Sequence, residues 1–226
     1  MIYLLDTANL EQIKRAFNLY PMEGVTTNPT IISKQKGSFI NILKEIRSII
    51  GENKMLHAQA ISTTCEEIVK EAEYLNGILG ENFYIKVPVI PEGIKAMKAL
   101  KKKGIKITAT AVFTAQQALI AANAGADFVA PYVNRIDNIS GNGVDVVGQI
   151  VELFANGNVN TKILAASFKN AQQVNEVALL GAESVTVNAE IMDKLIDHPL
   201  TTWSVDQFVK DFESVYGEGA VAYNAK

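Results

Sequence analysis

The sequence predicts a single α/β domain: a (β/α)8 TIM barrel with an extra C-terminal helix. Three observations lead there. Eight short β-rich runs alternate with segments of helical period along the chain. Such alternation builds a parallel sheet covered on both faces. The 226 residues, 48% of them hydrophobic, can fill one sizeable core, and barrels of this type run to ~250 residues. A doubly wound sheet would need a phosphate loop or switch point, and neither G-x-G-x-x-G nor G-x-x-x-x-G-K-[ST] occurs.

The predicted strands are IYLLD (2–6), GVTTN (24–28), MLHAQA (55–60) and FYIKVP (83–88), then IKITATAV (105–112), ADFVAPYV (126–133), KILAAS (162–167) and SVTVN (184–188). Each is rich in Val, Ile, Thr or aromatics and runs into turn or N-cap residues. Between them, PEGIKAMKALKKKG puts Ile94, Met97 and Leu100 on one helical stripe and Lys95, Lys98, Lys101 and Lys102 on a solvated face. TAQQALIAANAG does the same with Ala118, Leu119 and Ala122, and Gly125 is its expected C-cap. One helix is left over. Ser204 and Gln207 have capping-box spacing, and Val205, Phe208, Val209, Phe212 and Val215 follow at helical intervals. The expected organisation is therefore a barrel over 1–203 and a helix with its tail over 204–226. That helix either closes its own barrel or packs on a neighbouring subunit.

Charge and cysteine content narrow the function classes. With 21 Lys+Arg against 24 Asp+Glu, the net charge is −3 and no single-sign cluster points to nucleic acid or a membrane surface. The one cysteine, Cys65, excludes an internal disulfide and suits a reducing cytoplasm. MIYLLDTANLEQ lacks the basic and apolar regions of a secretory signal. No run approaches the ~20 apolar residues of a membrane span. A cytoplasmic globular protein is expected.

In such a barrel, chemistry gathers at the C-terminal ends of the strands. Those ends carry Asp6, Asn28, Gln59, Lys86, Thr110, Tyr132 with Arg135 beyond it, and Ser167. Most have a plain structural explanation. Asp6, Asn28 and Ser167 are possible helix caps, Arg135 a surface partner for Asp137, Gln59 a backbone partner and Tyr132 a rim aromatic. His57 reads as a satisfied core histidine, and two scattered histidines with one cysteine make no transition-metal site.

Lys86 has no such explanation. It alternates with Phe83, Ile85 and Val87 and shares its face with Tyr84. Inside a closed barrel it must reach the rim, pair with Asp6 or lose its proton. Burial disfavours the ammonium, and a neutral amine attacks carbonyls. Lys86 is therefore the candidate for an imine with a ketone substrate.

LLDTAN, GVTTNPTII, HAQA, IKVPV, TATAVF, APYVNRID and AASFK together resemble the small transaldolase-like aldolases, nearest the fructose-6-phosphate aldolases, over nearly the whole chain. The resemblance implies a Schiff base on Lys86, proton transfer by Asp6, and donor binding by Asn28 with Thr27 beside it. It implies a sugar-phosphate subsite at Arg135 and Ser167, and a catalytic water held by Tyr132, Gln59 and Thr110. Transaldolases carry glutamate and phenylalanine where this chain has Gln59 and Tyr132, so the resemblance favours an aldolase that cleaves fructose 6-phosphate. A transaldolase passing the dihydroxyacetone unit to erythrose 4-phosphate is the alternative. A non-covalent sugar-phosphate isomerase and a non-catalytic binding barrel are remoter ones. The family uses no metal or organic cofactor and forms pentamers or decamers with the C-terminal helix reaching a neighbour. Asn188 departs from the aliphatic-proline pair many relatives carry, and bears on acceptor specificity.

Overall fold

A computed structural model describes residues 1–225. In its first half, β1 (Ile2–Asp6), α1 (Leu10–Leu19), β2 (Met22–Thr26), α2 (Pro29–Ile32) and α3 (Phe39–Ile50) lead to β3 (Met55–Gln59), α4 (Cys65–Leu79), β4 (Phe83–Pro88) and α5 (Pro91–Lys102). The second half runs through β5 (Ile107–Val112), α6 (Ala115–Asn123), β6 (Phe128–Pro131), α7 (Val133–Asp137) and α8 (Gly143–Asn156). It continues with β7 (Lys162–Ala165), α9 (Ala171–Leu179), β8 (Ser184–Val187), α10 (Ala189–Lys194) and α11 (Pro199–Tyr216). The eight strands pair in parallel, in chain order, and β8 returns to β1, closing the predicted barrel.

Strand alternation decides what each layer contains. On β4 the outward residues Phe83, Ile85 and Val87 are fully buried beneath the helices. The inward residues begin at the N-terminal end with Tyr84, packed with Ile2 and Met55 around Leu4, Phe128 and Leu164. Lys86 is the next inward residue, aligned with Gln59 on β3 and Thr108 on β5. Strand β2 stops at Thr26 and not at Asn28, because Asn28 caps α2 and Pro29 opens it. Strand β5 changes register with β6 between Ala109 and Val112, around Ala111 at φ 56°.

By its packing the chain divides into Met1–Met192 and a second unit from Asp193. In the latter, α11 begins at Pro199 and not at Ser204. His198 supplies the cap, its Nδ1 accepting from the Leu200 N–H at 3.2 Å, and Pro199 takes the first turn, where its missing N–H costs nothing. Ser204 therefore lies inside the helix. The tail folds into turns, with Gly219 N–H on Glu213 at 2.9 Å and Val221 N–H on Asn224 at 2.7 Å.

The strand that carries Lys86 is held from behind by α5, which approaches so closely that a Cβ on Gly93 would lie 2.0 Å from the Pro88 carbonyl oxygen. Overpacking of this kind costs about 2 kcal/mol. Gly93→Ala is expected to lower unfolding stability by that order in a urea titration.

Candidate active site

Lys86 is 4% exposed, and its Nζ donates to the Thr27 carbonyl at 2.8 Å. That carbonyl is well fixed. Thr27 sends both its N–H (2.8 Å) and its hydroxyl (3.1 Å) to the carbonyl of His57. Thr27, expected among the donor-binding side chains, thus has its hydroxyl buried against β3, and its backbone is what meets the lysine. Of the three fates open to a barrel lysine, neither the rim nor a direct ion pair with Asp6 is the one taken. The amine turns to a neighbouring backbone carbonyl.

Asp6 lies at the end of β1 and accepts from the Thr26 hydroxyl at 2.7 Å. Thr26 Oγ1 also lies 2.7 Å from Thr186 Oγ1, and since its own proton goes to Asp6, Thr186 must donate to it. Burial pushes the Asp6 carboxyl above its ordinary value, offset in part by Lys86, by the Thr26 hydroxyl and by Arg135. A carboxyl so balanced is placed to exchange a proton. It caps no helix: Asn9 caps α1.

Across the barrel, Tyr132 is buried, its hydroxyl 2.8 Å from Thr110 Oγ1. Its ring meets Phe113 edge-on at 5.7 Å, and the Arg135 guanidinium lies over it at 4.7 Å. Arg135 is exposed and not paired with Asp137, whose two oxygens take the Gly143 N–H and the Gln173 amide. Gln59 is half-buried, aligned with Lys86, and its amide makes no hydrogen bond within the described residues. Asn28 caps α2 through Oδ1, accepting from Ile31 N–H at 2.9 Å, which leaves its NH2 as a donor. Ser167 is no cap, since Asn170 caps α9. It sits at φ 62°, an αL conformation uncommon for a residue with a Cβ. Asn188 is exposed and caps α10 from Ile191 N–H at 2.8 Å.

His57 corrects the expectation of a satisfied core histidine. Its Nδ1 lies 2.8 Å from Thr108 Oγ1, but Nε2 is buried with no hydrogen-bond partner. The reason is its setting: the ring stacks on Tyr84 at 4.5 Å and meets Phe128 edge-on at 5.6 Å, leaving one polar edge. Burial, then Lys86 and Arg47, push its pKa well below the ordinary 6.5. It is a neutral floor beneath the lysine.

Taken together, a buried amine, a half-buried carboxyl and a phenol–hydroxyl pair lie on the same end of the barrel, above a floor of aromatic rings. This is a set suited to imine chemistry with proton transfer. Thr26, Thr186, His57 and Thr108 join it though no strand-end reading finds all four. Among the described residues no His, Cys, Asp or Glu cluster could hold a metal ion. A depression of about 670 Å³ lies elsewhere, at the opposite end of the barrel between Tyr84, Asp127 and Lys162.

Residues 3–222 match the family described as transaldolase/fructose-6-phosphate aldolase. A probable transaldolase of Clostridioides difficile is 42% identical over 213 residues, covering 94% of this chain and 97% of that protein. A probable fructose-6-phosphate aldolase of Streptococcus pneumoniae is also 42% identical, over 214 residues, 94% of this chain and 96% of that one. Among solved structures, a flavocytochrome b2 mutant with benzoylformate superposes with a TM-score of 0.60 at 12% identity, over 83% of this chain and 57% of that one. This last likeness shows the barrel fold alone.

His57 makes stability pH-dependent in a stated direction. Its folded pKa lies below 6.5, so the unfolded chain binds this proton first as pH falls. The stability it contributes is present above the unfolded value and is lost as pH drops from there toward the folded one. Unfolding free energy measured from pH 7 to pH 5 is expected to fall more steeply for the natural chain than for His57→Phe.

Proposed function

The chain belongs to the transaldolase/fructose-6-phosphate aldolase family, and on that footing we propose that it is a class I aldolase that cleaves fructose 6-phosphate. The products are dihydroxyacetone and glyceraldehyde 3-phosphate, and the reverse addition runs on the same site. The observation that carries this reading is Lys86, 4% exposed and held by the Thr27 carbonyl at 2.8 Å. An amine held there is aimed by a neutral acceptor and not neutralised by a carboxylate, so deprotonation leaves it free to attack.

In this mechanism neutral Nζ attacks C2 of the ketose, and loss of water leaves a protonated imine. The iminium draws in the C3–C4 electron pair as that bond breaks, giving an enamine. The C4 hydroxyl loses its proton to the Tyr132–Thr110 pair, through a water shared with Gln59, or to Asp6, and glyceraldehyde 3-phosphate departs. The enamine carbon is then protonated, water adds to C2, and dihydroxyacetone leaves the free amine. Asn28 binds the donor hydroxyls through its NH2. Arg135 and Ser167 bind the phosphate, for which an unpaired guanidinium and a hydroxyl are suited donors.

Gln59 and Tyr132 favour an aldolase over a transaldolase. An amide in place of a carboxylate removes a general base, and the phenol against Thr110 supplies a proton path by which water resolves the enamine. The second reading, a transaldolase, is favoured by the name of the Clostridioides difficile relative. With fructose 6-phosphate alone, many turnovers of glyceraldehyde 3-phosphate per subunit are expected, and Tyr132→Phe is expected to slow them about 10²-fold. A single equivalent per subunit, with turnover restored by erythrose 4-phosphate, means a transaldolase. Borohydride with the ketose is expected to trap an adduct on Lys86; no adduct means an isomerase or a binding barrel.

The C-terminal helix is proposed as an arm that packs on a second copy of this chain. α11 buries none of its side chains, and Trp203, Phe208, Val209 and Val215 are each more than half exposed along it. Sedimentation is expected to show an oligomer for the natural chain and smaller species for Phe208→Glu/Val209→Glu.

A further inference from the structure

The rim segments that carry Arg135 and Ser167 are fastened to each other twice. The first fastening is backbone: Val133 N–H donates to the Ala166 carbonyl at 2.9 Å, and Asn134 N–H to the Ser167 carbonyl at 2.8 Å. The second is made by side chains that the chemistry at Lys86 does not use. Asp137, at the end of α7, accepts the Gly143 N–H on Oδ1 at 2.7 Å and the Gln173 amide on Oδ2 at 2.6 Å. Gln173, 8% exposed in the first turn of α9, takes the Lys169 N–H on its own oxygen at 2.8 Å. One carboxylate thus reaches, through one amide, the loop two residues beyond Ser167. α8 adds a stop, since a Cβ on Gly143 would lie 2.2 Å from the Val133 carbonyl oxygen. Ser167 needs such support, because an αL backbone in a residue with a Cβ persists only where its surroundings over-determine it.

We propose that Asp137 and Gln173 are positioning residues that hold Arg135 and Ser167 at the spacing a phosphate monoester requires. They set the enzyme's preference for phosphorylated substrates and leave carbon–carbon chemistry alone. The proposal rests on the assignment of Arg135 and Ser167 to the phosphate. Neither Asp137 nor Gln173 hydrogen-bonds to Lys86, Asp6, Thr110 or Tyr132; their hydrogen bonds go to the two rim segments and to α8. Deleting one member leaves a buried polar group unpaired and frees the Lys169 peptide, so the loss falls on phosphate binding.

The test compares fructose 6-phosphate with unphosphorylated fructose as the cleaved ketose. Gln173→Ala and Asp137→Asn are expected to raise KM for the phosphorylated ketose about tenfold. kcat/KM on fructose should not change, and this also reports that the variants fold. The double variant Asp137→Asn/Gln173→Glu reverses the polarity of the bridge. The introduced amide donates to the introduced carboxylate, which still accepts the Lys169 N–H, so KM is expected to recover. Equal losses on both ketoses, no loss on either, or no recovery in the double variant overturns the proposal. Arg135→Ala is the reference. If it alters the ratio between the ketoses and the bridge variants do not, the bridge falls and the phosphate assignment stands. If it too leaves the ratio unchanged, both fall together.

Discussion

A lysine on a central strand of a closed barrel has no bulk water to solvate it, and much of this site is arranged around that constraint. The amine finds one acceptor, a backbone carbonyl, and that carbonyl belongs to a residue pinned twice to the next strand. A carbonyl dipole orients an ammonium without fixing its proton as a carboxylate would. The carboxylate that is present stands off and acts through its field, its own charge steadied by the Thr186–Thr26 hydroxyl chain. Dryness below is supplied by the stack of His57 on Tyr84 with Phe128 at its edge. Remove the carbonyl, and the same lysine is left buried without a hydrogen-bond partner, which folding does not tolerate well.

The rim follows a different logic. Its polar groups are held by second partners that are themselves not in the site: Phe113 behind Tyr132, Ile31 beneath Asn28, and Asp137 and Gln173 behind the loop of Ser167. Loops at a barrel mouth are otherwise its least constrained parts. Here the β6 and β7 ends are continued as one ladder past the last regular strand residue, with Tyr132 bridging Ala166. Rigid support on one side of the mouth fixes the segments of Tyr132 and Ser167 relative to each other.

Much of this was legible in the sequence, and the part that was not has a physical reason. Period-two runs and their polar last residues placed Asp6, Lys86, Thr110 and Tyr132 on one rim, because both signals are local to a strand. Partners across strands are not local. Nothing in GVTTN says that Thr26 meets Asp6 and Thr186. Nor does any spacing show that Thr27 would serve the lysine by its carbonyl, or that the aromatic stack would leave His57 Nε2 alone. The C-terminal helix begins ahead of its capping-box pattern at Ser204 for a local reason: Pro199, already shaped for a first turn, opens it.

Closure of the sheet between β1 and β8 has a consequence for the chain as it is made. The Thr186–Thr26–Asp6 relay joins the eighth, second and first strands, so it has no existence until residue 186 has emerged and the ends of the sheet have met. Lys86 is synthesised a hundred residues earlier, as a solvated side chain on an unpaired segment. Until the sheet closes it therefore lacks the enclosed surroundings it has in the finished barrel. Its enclosure is a property of the finished fold, completed only when the last strand meets the first.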